Sequence, residues 1–118
     1  MENNKGKLGG RGENIAVDYL LKSKYKIIQR NYRCKFGEID IIAFKNNTYI
    51  FVEVKTRKNC SFCRPAEAID FKKRNHLLKT AQYFTQVYHI VNCNYRFDAI
   101  EIIIMPETQI NHIENIIN

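Results

Sequence analysis

The feature that most constrains this chain is a pair of strand-like segments joined by a tight turn within residues 37–57. The first segment reads GEIDIIAF and the second reads TYIFVEVKTR, with Asn46 and Asn47 between them. Segments rich in β-branched and aromatic residues are typical of strands, and two asparagines between such segments favour a hairpin turn. We therefore predict an antiparallel hairpin whose tip is formed by Asn46 and Asn47.

The register of this hairpin predicts that two acids face each other. With Asn46 and Asn47 as the loop, Asp40 lies opposite Glu53 and Glu38 lies opposite Lys55, whereas a three-residue loop would shift the pairing by one residue. Because side chains alternate between the two faces of a strand, the other face is wholly apolar and is predicted to be core. Its predicted pairs are Ile39 with Val54, Ile41 with Val52, and Ala43 with Ile50.

The opposition of Asp40 and Glu53 is unfavourable unless something neutralises the pair. Directly opposed side chains lie about 5 Å apart, and like charges at that distance destabilise a sheet. A shared proton or a divalent cation would remove the repulsion, and Mg²⁺ binds carboxylate oxygens while keeping several waters. The alternative is a hairpin without a cation, in which Lys55 neutralises its neighbours. Two acids and a lysine on an otherwise apolar hairpin favour a functional site.

The chain is short and strongly basic. Its 118 residues suit a single domain, 1–118, and its formal charge of +7 favours a polyanionic partner. Charge alone fits a nucleic acid or an anionic membrane surface, but no apolar run approaches the roughly 20 residues of a membrane helix. We expect a cytoplasmic protein, because no charged and apolar leader is present. The residues predicted to contact nucleic acid are Arg57, Lys58, Arg64, Lys72 and Arg74.

The four cysteines do not form a strong metal motif. Cys60 and Cys63 make one CxxC pair, whereas a typical zinc site needs a second close pair, which Cys34 and Cys93 do not supply. We predict free thiols, and a zinc site or a redox role for Cys60 and Cys63 stays open. The three histidines, at positions 76, 89 and 112, share no ligand spacing and are predicted to be surface or packing residues.

The other elements follow from hydrophobic periodicity and turn residues. They predict an α/β fold, a mixed sheet flanked by helices in the order α-β-β-β-α-β, with a parallel crossover through the second helix. The predicted ranges are a flexible basic lead-in at 1–12, a helix at 13–24, a strand at 25–33, the hairpin at 37–57, a loop at 58–64, a helix at 65–86, a strand at 95–105 and a short final helix or strand at 110–118.

Two charged residues fall on the apolar stripes of the predicted helices. Glu13 shares a stripe with Ala16 and Val17, and Lys73 shares one with Leu77. An acid at a helix N-terminus commonly serves the helix dipole, and a lysine on an apolar stripe commonly reaches out to solvent. The other interpretation points both side chains inward, to the acidic end of the hairpin.

Asp40, followed after twelve residues by Glu53-Val54-Lys55, resembles the D…ExK signature of the restriction-endonuclease-like superfamily, also written PD-(D/E)xK. The wider pattern is similar to the YraN-like uncharacterised bacterial family within it, over nearly the whole chain. The matching segments are GENIAVDYL at 12–20, RNYR at 30–33, GEIDIIA at 37–43, FVEVKTR at 51–57, AEAID at 66–70 and RFD at 96–98. Lys24 and Cys63 stand where the family pattern has glycines, which concerns the shape of two connections.

The resemblance implies a restriction-endonuclease-like core and a role for each site residue. Asp40 and Glu53 would hold Mg²⁺ or Mn²⁺, with the Val54 carbonyl as a third ligand. Lys55 would orient the attacking water or stabilise charge on the phosphate. Glu13 and Lys73 match an acid of the first helix and a lysine of the second helix in related proteins.

By the same resemblance, we expect a nuclease that hydrolyses phosphodiester bonds in DNA, including branched or damaged DNA as resolvases do. One alternative is a nucleic-acid-binding module of the same fold without turnover. Another is a small interaction subunit of a nucleic-acid-processing machine. A homodimer is left open by the sequence.

Overall fold

A computed structural model describes residues 6–58 and 71–117 of the chain. These residues form two helices and five strands in the order α-β-β-β-α-β-β. The elements are α1 (Gly6–Lys22), β1 (Lys26–Cys34), β2 (Gly37–Lys45), β3 (Thr48–Arg57), α2 (Phe71–Val87), β4 (Asn94–Ile103) and β5 (Gln109–Ile113). No helix among the described residues is both long enough and apolar enough to cross a membrane.

The strands form one mixed sheet in the order β1-β2-β3-β4-β5. All neighbours are antiparallel except β3 and β4, which are parallel and are connected through α2. The predicted α/β class, with a mixed sheet flanked by helices and a parallel pair across the second helix, is therefore confirmed. The final element, left open between helix and strand, is the edge strand β5.

Two apolar clusters hold one helix against each face of the sheet. Ala16 and Leu20 of α1 pack on Ile41 and Val52, among others, on one face. On the other face, Leu77, Ala81 and Phe84 of α2 pack on residues that include Ile42 and Phe51. Adjacent residues of β2 and β3 thus enter opposite cores, as the alternation of side chains along a strand requires. The two faces explain why both hairpin strands are nearly continuous in apolar residues.

The hairpin is formed as predicted around its tip. Asn46 and Asn47 have φ angles of 52° and 55°, the left-handed conformation that a two-residue hairpin turn requires. The observed pairing runs from Lys45–Thr48 to Ile41–Val52, which confirms the predicted register over this part. It ends one step before Asp40 and Glu53, so the structure does not show this pair as ladder partners.

The prediction that Ile39 shares a face with Ile41 is wrong. Ile39 belongs to the cluster beneath α2, whereas Ile41 belongs to the cluster beneath α1. The regular alternation is interrupted here, since Asn31 of β1 has a φ of 52° and lies between the residues that pair with Ile39 and Ile41. The hairpin strands stop pairing with each other at the same level.

The first helix begins earlier than the sequence predicted. Residues 6–12, expected as part of a flexible lead-in, form the first turns of α1. The segment is helical despite the low helix propensity of its glycines, because α1 packs against the sheet and tertiary packing outweighs helix propensity. The start of the second helix, predicted at Pro65, and the loop at 59–64 lie outside the described residues.

Candidate metal and nucleic-acid site

An open cavity of about 620 Å³ lies where β2 and β3 stop pairing. Its walls come from both helices and from both hairpin strands, so it is formed only when the two faces of the sheet are covered. The residues that line it are Leu8, Gly9, Glu13, Gly37, Glu38, Asp40, Glu53, Val54, Thr56, Lys73, His76 and Leu77.

Asp40 is held at the inner end of this cavity by the backbone of the neighbouring strand. The Val54 N–H donates a hydrogen bond of 2.7 Å to Asp40 Oδ2. Asp40 is only 6% exposed, and a buried carboxylate that accepts a backbone N–H is fixed in orientation. The Asp40 side chain thus bridges β2 and β3 immediately beyond the last observed ladder pair.

Glu53 reaches the same cavity and forms an ion pair across it. Lys73 Nζ, at the start of α2, lies 2.7 Å from Glu53 Oε2. The Glu53 side chain is 14% exposed and the Lys73 side chain is 45% exposed, so the pair lies at the mouth of the cavity. The interpretation that directed Lys73 inward, to the acidic end of the hairpin, is therefore confirmed.

Glu13 is fully buried, although it lies in a helix with many exposed residues. It lines the cavity, and its Oε1 is 3.5 Å from Nη2 of Arg30 on β1. Arg30 also donates a hydrogen bond of 2.8 Å to Asn14. The inward interpretation of Glu13 is confirmed, and Arg30 is a neighbour that hydrophobic periodicity could not reveal.

The close approach of α1 to β3 depends on Gly12. A Cβ atom at this position would lie 1.8 Å from Thr56 Oγ1, which is far inside van der Waals contact. Only glycine therefore allows the helix to lie this close to the strand. This contact brings the next residue, Glu13, over the end of the hairpin, which explains the glycine that begins the GENIAVDYL segment.

Lys55 is the one predicted catalytic residue that does not line the cavity. It lies two residues beyond Glu53 on β3 and is half-buried. Within the described part of the chain, its ammonium group has no hydrogen-bond or ion-pair partner. Lys55 therefore lies close to the acids along the strand, but among the described residues it forms an ion pair with neither of them.

The residues predicted to bind nucleic acid occupy several different environments. Arg57 Nε donates a hydrogen bond of 2.7 Å to Oε2 of the buried Glu101, so much of the Arg57 charge is neutralised within the protein. Lys58 is exposed, whereas Arg74 is half-buried and its Nε has no hydrogen-bond partner in the described part of the chain. Arg64 and the Lys72 side chain lie outside the described part of the structure.

The donor atoms at the cavity fit a hard divalent ion. Across residues 6–58 and 71–117, no group of three His, Cys, Asp or Glu side chains is arranged to hold a metal. Mg²⁺, however, is commonly held by only one or two carboxylates, with water completing its shell. Asp40, Glu53 and the Val54 carbonyl would be such a set, and all three residues line one cavity.

A second polar cluster was not predicted, and its centre is Asp98 of β4. The buried Asp98 carboxylate accepts hydrogen bonds from Arg96 Nε and Nη2, and from the backbone N–H of Asn115 at 3.1 Å. His112 Nε2 lies 2.8 Å from Asp98 Oδ2, and His112 Nδ1 lies 2.8 Å from the Tyr19 hydroxyl. The RFD segment contained the only sequence signal for this cluster.

The charge state of Asp98 fixes the hydrogen bonds around it. Burial acts to raise the pKa of Asp98, but hydrogen bonds from His112, Arg96 and Asn115 together lower it below its ordinary value. Ionised Asp98 can only accept hydrogen bonds, so His112 Nε2 donates to it, whereas the direction of the bond between His112 Nδ1 and the Tyr19 hydroxyl depends on whether Nδ1 carries a proton. Burial raises the pKa of Tyr19, which keeps its hydroxyl protonated.

Two of the four cysteines can be located in the structure. Cys34 and Cys93 are half-buried free thiols, in agreement with the sequence prediction for these two residues. Cys60 and Cys63 lie outside the described residues. Of the histidines, His112 is a packing residue of the Asp98 cluster and His76 lines the cavity.

The fold and the cavity place the chain among α/β proteins that have a mixed sheet flanked by helices and a carboxylate site at one end of a central hairpin. Residues 12–102 match the model of the uncharacterised protein family UPF0102, and the chain belongs to this family. It is 47% identical over 115 residues to a UPF0102 protein of Caldicellulosiruptor saccharolyticus, covering 98% of both chains. It is 48% identical over 113 residues to a UPF0102 protein of Clostridioides difficile, covering 96% of this chain and 97% of the relative. The family resemblance predicted from the sequence is confirmed.

Proposed function

We propose that this protein is a metal-dependent nuclease that hydrolyses phosphodiester bonds in DNA, with branched or damaged DNA as the substrate class. The observation that carries the proposal is the convergence of Glu13, Asp40, Glu53 and Lys73, from four different elements, on one cavity. Acids kept out of bulk water next to a lysine are typical of sites that perform acid, base or metal chemistry.

Each cavity residue has a defined task in this proposal. Asp40, Glu53 and the Val54 carbonyl hold Mg²⁺ or Mn²⁺, which when bound neutralises the charge of the phosphate oxygens. The Val54 N–H keeps the Asp40 carboxylate in one orientation. Lys73 holds Glu53 in place before the ion binds, and Glu13 completes the acidic wall from α1.

Lys55 has the task of stabilising the transition state. It has no ionic partner in the described part of the chain, so its charge is available to the substrate. An ammonium group that meets charge developing on the phosphate, or that orients the attacking water, accelerates the reaction without strengthening ground-state binding. The formal charge of +7 supports a polyanionic substrate.

A second candidate function is a nucleic-acid-binding module without turnover, alone or as a subunit of a larger machine. The Lys73–Glu53 ion pair favours it, because a lysine already neutralises one of the two proposed metal ligands. In this case, the lysine would substitute for the ion and the cavity would serve stability or binding.

Cleavage and metal binding, measured together, distinguish these functions. Linear, nicked and four-way DNA are incubated with Mg²⁺ or Mn²⁺, and ion binding is measured by calorimetry without DNA. We expect cleavage by the wild type and loss of both cleavage and ion binding in Asp40→Asn and Glu53→Gln. Glu107→Gln, at an exposed acid away from the cavity, is the matched control and keeps both. Equal ion affinity in wild type and both cavity variants would contradict the proposal.

A further inference from the structure

A ladder of aromatic rings lies on the α2 face of the sheet, next to the cavity. Phe51 and Phe97, which are partners in the parallel pair β3–β4, have ring centroids 5.3 Å apart and an interplanar angle of 29°. Tyr49 and Tyr95, also partners, are 6.4 Å apart at 27°. Tyr95 stacks on Phe51 at 6.3 Å and 23°, so these four rings form one continuous array.

Part of this array is open to solvent. α2 packs mainly over β2, so the part of this sheet face that belongs to β4 is less covered. A cleft of about 190 Å³ therefore remains between α2 and the ladder, lined by Phe51, Tyr95 and Phe97 and by four residues of α2. Tyr95 is 44% exposed and its hydroxyl donates a hydrogen bond of 3.3 Å to the Ile90 carbonyl, which fixes the ring at the mouth of the cleft.

The cleft and the cavity share both of their walls. Phe51 lines the cleft and Glu53, two residues further on β3, lines the cavity. On α2, Leu77 lines the cavity and Leu78 lines the cleft. Residues two apart in a strand are separated by about 7 Å and lie on the same face. The rungs of the ladder therefore lead along the sheet from Glu53 toward its opposite end.

We propose that this cleft binds an unpaired nucleotide of the substrate, whose base stacks on Tyr95 beside the phosphate at the cavity. The inference rests on the proposed function and names its substrate class: nucleic acid with a single-stranded segment next to the scissile bond. Exposed aromatic rings are the usual platform for unpaired bases, because every base has a flat π-face.

The charges on α2 fit this occupant better than a second copy of the chain. Within Phe71–Val87, the sequence contains Lys72, Lys73, Arg74 and Lys79 and no acid. A polyanion is attracted to such a helix, whereas a symmetric contact between two copies would bring two cationic helices together. The apolar cleft takes the base, and the positive charge carried by α2 attracts the backbone phosphates.

Binding without cleavage tests the inference. An oligonucleotide that carries one 2-aminopurine, as a single strand or within a duplex, is titrated with protein in EDTA. In the wild type, stacking quenches the probe in the single strand. In Tyr95→Leu, we expect the quenching to disappear and single-strand affinity to fall about tenfold, with duplex affinity unchanged. Tyr95→Phe keeps the ring and retains the quenching. Tyr88→Leu, at a more exposed tyrosine outside the cleft, retains affinity and quenching.

The outcomes separate this inference from the proposed function. Absence of quenching in the wild type, or an equal loss of single-strand and duplex affinity in Tyr95→Leu, would overturn the stacking site. A wild-type dimer that becomes monomeric in Tyr95→Leu, measured by sedimentation, would assign the cleft to a second copy and overturn it too. Cleavage by a wild type that shows no stacking would remove the inference alone. If the wild type shows stacking but never cleaves DNA, only the proposed nuclease activity is contradicted.

Discussion

The cavity and the Asp98 cluster both bring carboxylates into the protein interior, but the carboxylates have different surroundings in the two regions. Asp98 is surrounded by Arg96, His112 and the Asn115 backbone, and its side chain is fully buried. Among the described residues, Glu53 has one ionic partner, Lys73, and it faces an open cavity together with Asp40 and Glu13. A carboxylate enclosed by donors within the fold has a structural task. Carboxylates gathered around open space have capacity left for a ligand.

The difference also appears in what each region connects. The Asp98 cluster joins α1, β4 and β5, because Tyr19, Asp98 and His112 each come from a different element. The cavity joins α1, α2 and the hairpin, at the point where the hairpin strands no longer pair. One region closes the edge of the sheet, and the other keeps an opening within it.

The largest expected effect is on stability, from Asp98→Asn. The variant removes the buried acid that pairs with Arg96 and leaves it the exposed Glu114, whose Oε1 lies 3.7 Å from Arg96 Nη1. Breaking a buried pair costs about 3–5 kcal/mol, and the remaining contact with Glu114 places the expected loss toward the lower end of that range. Because the pKa of Asp98 is lowered in the folded state, its stabilisation is present above its ordinary pKa, near about 4, and is lost as pH falls through the folded value. Urea unfolding of wild type and variant between neutral and acid pH measures both effects. If the difference in unfolding free energy between wild type and variant stays constant into acid pH, the ionised role of Asp98 is contradicted.

The next effect is on catalysis, from Lys55→Ala. If Lys55 meets charge that develops in the transition state, its removal reduces the cleavage rate by roughly two orders of magnitude, as for other preorganised electrostatic contacts. DNA affinity should fall only slightly, because one of 19 basic residues is lost. Single-turnover cleavage and a binding titration separate the two effects. Lys26→Ala removes an exposed charge from β1 and is the matched control. A Lys55→Ala variant that cleaves at the full rate would assign the activity to another site or to a contaminant.

The smallest expected effect is the metal-free stability of Asp40→Asn. The substitution removes one of the negative charges at the cavity, while an amide oxygen can still accept the Val54 N–H. We expect a gain of up to about 1 kcal/mol without metal, the usual scale of a repulsive cross-strand pair. The gain is limited because Lys73 already neutralises Glu53. Thermal melting in EDTA measures it, and a clear loss of stability would show that the Asp40 charge supports the fold instead of opposing it.

Most of the framework was predictable from local patterns. The alternation of strand residues and the Asn46–Asn47 turn predicted the hairpin and its register from Ile41 to Lys45. Helical periodicity placed Leu77 on the apolar stripe of the second helix, and Leu77 is buried against the sheet. These predictions succeed because backbone geometry alone decides which side chains share a face. They fail at Ile39 and at the start of α1, where an irregular strand and helix packing override the local pattern.

The sequence by itself determined the order of the first six elements, the hairpin and the residue types of the candidate site. Only the tertiary structure decided which of these residues meet: Glu13 and Lys73 enter the cavity, whereas Lys55 does not line it. It also created the contact between Tyr19 and His112, which are 93 positions apart in the chain. Such contacts have no local signal, since they depend on how α1 and β5 lie on the sheet. Periodicity tells which face a residue occupies, and packing decides what that face meets.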